Sequence, residues 1–90
     1  MNAAAALPKV LEKIDADLDR SLERLFAFIR LQSISTDPAF AEQCKAAAQF
    51  VADDLKSLGL EAQVRKTTGH PVVVGKSGNG AGPRVLFYGH

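Results

Sequence analysis

The stretch Pro83-Arg84-Val85-Leu86-Phe87-Tyr88-Gly89-His90 decides how the chain is read. Val85 to Tyr88 lack the polar alternation of a surface strand, so the run suits a strand covered on both faces. It stops on a glycine and a histidine. Ligands of open α/β sheets collect at the carboxyl ends of such strands, where side chains leave the sheet and enter a crevice. His90 stands at that address.

Before this run, Ser77-Gly78-Asn79-Gly80-Ala81-Gly82-Pro83 reads as a connection between two strands. Gly75-Lys76-Ser77 supplies the tripeptide of a phosphate-binding loop, but the position that needs the earlier glycine holds His70, and a strand rather than a helix follows. Val72-Val73-Val74 predicts a strand, with Pro71 at its start, where a missing N–H is best tolerated. His70 has no convergent partners and reads as a loop or strand-edge histidine. Leu60, Ala62 and Val64 alternate with Glu61, Gln63 and Arg65, which predicts a half-buried strand.

Two amphipathic helices are expected upstream. Pro8 suits the first turn of a helix, where its missing N–H costs nothing. From there Leu11, Ile14, Leu18, Leu22, Leu25 and Ile29 recur at spacings of three and four as far as Leu31. The pattern is too short in heptads for a coiled coil. Its polar face carries Asp17 close to Arg20 and Arg24 and is expected to be solvated. Ser33-Ile34-Ser35-Thr36 is a loop, and without a Gly-x-Ser-x-Gly elbow neither serine reads as a nucleophile. Asp37 is the expected N-cap of the second helix, with Pro38 at its first position. Phe40, Cys44, Ala47, Ala48, Val51, Leu55 and Leu58 form that helix's apolar face. Leu58-Gly59-Leu60 predicts a Schellman ending with Gly59 at positive φ and Leu60 reaching back to Leu55.

Ninety residues accommodate one small domain and no second one. Hydrophobic residues at 47% and charged residues at 23% exclude a disordered chain. With 11 Lys plus Arg against 10 Asp plus Glu and no basic block, nucleic acid is not an expected partner. A single cysteine, Cys44, makes no internal disulfide and reads as a small residue on a helix face. No run is long enough to span a bilayer, and Met1 to Leu7 lacks the build of a secretory signal. A soluble protein of the cytoplasm is expected.

The run Arg84-Val85-Leu86-Phe87-Tyr88-Gly89-His90, preceded by Gly69-His70-Pro71-Val72-Val73-Val74 and by the two helices, resembles the start of the catalytic domain in the M20 family of zinc-dependent metallopeptidases. The Phe-Tyr-Gly-His wording is most similar to the dipeptidase branch related to carnosine dipeptidases. This resemblance implies an α/β fold, with two amphipathic helices followed by three strands. That is the opening part of a layered zinc-exopeptidase-type catalytic domain, with residues 1–90 incomplete and a lid or dimerisation domain absent. It also implies two zinc ions in the complete enzyme, with manganese as the other metal admitted. In a His-x-Asp motif the histidine binds one metal, and His90 matches it. The bridging aspartate would fall two residues further on. The general base and remaining ligands would also lie downstream, so no catalytic residue is assigned within 1–90 and the piece alone is expected to be inactive. Substrates would be dipeptides or N-acyl amino acids, and homodimers would form through a domain not present here. The competing reading from the residues alone is a small non-enzymatic α/β interaction module, in which Phe87, Tyr88 and a strand edge bind a partner.

Overall fold

A computed structural model of the chain describes residues 2–78 and 80–90. It is an α/β chain of two α-helices and a two-stranded antiparallel sheet, divided into compact units at residues 1–47 and 48–90.

In the first unit, helix α1 runs Ala3–Ile29 and so starts five residues before Pro8. Asn2 is its N-cap, with extended backbone and a side-chain oxygen that accepts from the Ala5 amide at 3.0 Å. Ala3 to Ala6 have the best helix propensity of any residue type, and the Asn2 cap satisfies a donor otherwise orphaned. Together these outweigh Pro8, which lies inside the helix and removes the bond its own amide would have made to the Ala4 carbonyl. Lys13 reaches Asp17 at 2.6 Å from one turn away, and Arg20 bonds the same carboxylate from the other side. The hydrogen bonds from Lys13 and then Arg20 hold the Asp17 carboxyl below its ordinary value. A lowered carboxyl pKa stabilises the helix above the unfolded-state value and is lost as pH falls through the folded one. We therefore expect helical circular dichroism to fall as the pH drops below the reference carboxylate range, about 4, and less so in Asp17→Asn. An identical acid profile in the two proteins would contradict this pairing.

The apolar stripe of α1 is present but uncovered. No residue of the helix is buried, and Leu11, Ile14, Leu18 and Leu25 are each about half exposed. After Ile29 the chain turns tightly, with Ser33 and Ile34 amides bonding the Leu31 and Gln32 carbonyls, and the Gln32 amide donates to Gln43 Oε1 at 3.2 Å. Asp37 then caps the next element as the sequence predicts: its carboxylate accepts from the Ala39 amide at 3.0 Å, and Pro38 occupies the first helical position. This first turn, Pro38–Phe40, is a 3₁₀ turn that leads into helix α2, Ala41–Ser57. Loss of an N-cap typically costs ~1 kcal/mol. Asp37→Ala should lower stability by about that amount in thermal unfolding, and an unchanged midpoint would show that the cap contributes nothing. Cys44 and Ala47 are buried, in keeping with the reading of Cys44 as a packing residue.

In the second unit, α2 ends at the predicted Schellman motif. Gly59 has φ +87°, its amide bonds the Lys56 carbonyl at 2.9 Å, and the Leu60 amide bonds the Leu55 carbonyl at 3.2 Å. Strands β1, Glu61–Arg65, and β2, Val72–Lys76, follow in antiparallel register, with Ala62 opposite Gly75 and Val64 opposite Val73. Between them Thr67 Oγ1 donates to the His70 carbonyl at 2.6 Å and accepts from the Gly69 amide at 3.0 Å. Ala52 is fully buried and Ala62 nearly so. A Cβ on Gly75 would stand 3.0 Å from Leu55 Cδ1, so glycine there allows the helix and the hairpin to close on each other.

The expected third strand is the correction. Residues 84–88 carry no strand, and the sheet among the described residues has two strands. Val85, Leu86, Phe87 and Tyr88 are 74–92% exposed. A strand is made by neighbours that take its amides and carbonyls, and by surfaces that cover its faces. Here neither is supplied, so an apolar run that suits a covered strand stays irregular.

Candidate metal centre

His90 lies in this exposed segment, and the space around the neighbouring Gly89 is open, with no atom within 4 Å of where a Cβ would stand. Among the described residues, no group of three or more His, Cys, Asp or Glu is placed so as to hold a metal ion. A structural zinc site takes about four ligands, and a catalytic one takes three with an open position. His90 supplies one nitrogen donor toward such a set. Among the described residues nothing completes that set.

The remaining candidates fall apart in space. His70 is exposed and belongs to the hairpin turn, where its carbonyl accepts from Thr67. Ser33 and Ser35 lie on the exposed loop between the helices. Gly75 and Lys76 lie in β2, and Lys76 Nζ stands 3.9 Å from the Glu61 carboxylate across the hairpin. That geometry offers an anion a neighbouring carboxylate, which repels it, and it lacks the helix N-terminus that phosphate loops use. Glu61 and Lys76 line a shallow polar cleft with Gly59, Ser77 and Gly78. Sequence reasoning did not bring these residues together because they meet only through the hairpin register, and the alternating β1 pattern was the one available signal.

No helix of the described residues is long and apolar enough to cross a membrane. No protein-family model matches the chain, and no curated protein or solved structure matches it. The resemblance to M20 peptidases therefore rests on the residues quoted for it.

Proposed function

We propose that residues 1–90 form the opening part of the catalytic domain of a dinuclear metal-dependent hydrolase that cleaves amide bonds. Within that class, the wording of the last segment supports an M20-like peptidase of the dipeptidase branch, acting in the cytoplasm on dipeptides or N-acyl amino acids. The observation that carries the reading is the segment Arg84–His90: four consecutive apolar residues, 74–92% exposed, leading into Gly89 and His90. Such a run suits a strand buried on both faces of a larger sheet, with the histidine delivered at its carboxyl end.

The hairpin supports the same direction of growth. On the sheet face away from Ala62, β1 presents Glu61, Gln63 and Arg65, as an outer strand does, whereas β2 presents Val72 and Val74 there, 48% and 42% exposed, before Lys76 at its end. A strand apolar on both faces is an interior strand, so the sheet extends from the β2 side.

The metal pair, when bound, would polarise the scissile carbonyl and activate a water. The part played by this chain's own residues is narrower. His90 would donate one imidazole nitrogen, and Gly89, without a side chain, would leave the approach to it open. Hydrolysis assays on the protein from the uninterrupted reading frame test the reading. Chelator-sensitive cleavage of dipeptides, together with an aspartate two residues after His90, is expected. Absence of both would leave the interaction-module reading in its place.

A further inference from the structure

We propose that His70, in the turn between β1 and β2, binds the free carboxylate of the substrate beside the metal site. The inference rests on the hydrolase reading, in which Arg84–Tyr88 joins the same chain's sheet on the β2 side. The direction of that segment follows from the length of one connection. Only seven residues, Ser77 to Pro83, separate Lys76 from Arg84. A parallel return needs a crossover of about a dozen residues or more, so the segment comes back antiparallel to β2, whether or not a downstream strand enters between them. Its carboxyl end therefore lies where β1 ends and β2 begins, at the turn that carries His70. His90 falls two residues after Tyr88, and His70 two residues before Val72. Since Arg84–Tyr88 and β2 are both five residues long, the two histidines stand level at one end of the sheet.

What surrounds His70 decides its task. Arg65 ends β1, Lys66 follows it, and the sequence from Ala62 to His90 holds no Asp or Glu. The hairpin's one carboxylate, Glu61, stands at the other end of β1, opposite Lys76. A metal ion set among these positive groups is repelled, and an anion is attracted. Dipeptides and N-acyl amino acids both end in a carboxylate, one residue or at most about 3.6 Å from the bond to be cut. A side chain one or two strand spacings away, about 5–10 Å, is within reach of it.

The turn is also built to hold the residue. Thr67 Oγ1 donates to the His70 carbonyl at 2.6 Å and accepts from the Gly69 amide at 3.0 Å, while Pro71 confines His70 to extended conformations. None of these constraints uses the imidazole, so replacing His70 by alanine leaves all of them in place. The residue is exposed, and so is the whole turn from Lys66 to Gly69.

The test compares His70→Ala with the parent in the protein from the uninterrupted reading frame, on a cleaved dipeptide and on the same dipeptide with its terminal carboxylate converted to an amide. KM for the free dipeptide is expected to rise at least about tenfold, as for the loss of one hydrogen bond to a charged group, while kcat, metal content and thermal unfolding stay the same. The amide, measured by KM or, where it is not cleaved, by its inhibition constant, should bind both proteins equally. A second readout does not depend on turnover. With manganese bound, whose unpaired electrons broaden nearby signals, the Gly69 amide should be broadened more than those of Gly78 and Gly82, which lie past the other end of the strands, about 17 Å away. An unchanged KM, an equal loss on the amide, release of metal by His70→Ala, or stronger broadening at Gly78 and Gly82 than at Gly69 would each overturn the role of His70 and leave the hydrolase reading standing. A full-length protein that binds no metal and cleaves no dipeptide would overturn both.

Discussion

His90→Ala, made in the complete enzyme proposed for residues 1–90, is expected to release metal and to lower turnover by more than about 100-fold, the upper range for losing a mere outer-shell partner of a ligand. Thermal unfolding of the metal-free protein should be unchanged. His90 is exposed, its neighbour Gly89 touches nothing through a side chain, and no packing of either unit depends on the imidazole. The whole effect should therefore sit in metal occupancy and catalysis. Full occupancy with normal turnover in the variant would remove His90 from the site. A loss of turnover accompanied by unfolding would assign it a structural role instead.

Gly59→Val is expected to be the most destabilising of the backbone substitutions, by about 1–3 kcal/mol. Gly59 sits at φ +87°, and nothing lies within 4 Å of where its Cβ would be. The cost is thus one of backbone conformation, free of any clash, and a β-branched residue meets it in full. Gly59→Asn, which tolerates the left-handed region, should recover most of the loss. For a domain of this size each kcal/mol corresponds to about 4–8 °C in the unfolding midpoint. Equal midpoints for glycine, asparagine and valine would show that the helix end does not need this conformation.

What was legible in the sequence was local. The Asp37 cap, the Pro38 start and the Gly59 ending each depend on residues within about one turn of each other, and each is found. Strand β1 is found as well, but of its expected inner face only Ala62 is buried and Val64 stays exposed. The start of α1 was also local but was misread, because the proline rule was given more weight than Asn2 and the four alanines after it. Gly75 was invisible for a different reason: its need to be small arises from Leu55, twenty positions earlier in the chain, and only the folded register brings the two together.

The third strand and the site fail to follow from local pattern for the same physical reason. An apolar run states a preference for cover, but a strand exists only when partners take up its hydrogen bonds, and Val85 to Tyr88 have none here. A metal centre is more demanding still, since its ligands converge from distant segments. His90 is proposed only on its match to a histidine of the M20 pattern, and its companions cannot be derived from it. The amphipathic stripe of α1 shows the same gap between pattern and contact: the spacing is regular, yet the side chains remain half exposed.

The most direct test of the metallohydrolase reading is the metal content of the protein expressed from the uninterrupted reading frame, measured by elemental analysis after exhaustive dialysis. The account predicts about two zinc or manganese ions per chain, as a dinuclear hydrolase requires, with dipeptide cleavage lost on chelation and regained when metal is returned. A chain that retains no metal, and whose activity or partner binding is indifferent to chelator, would contradict it.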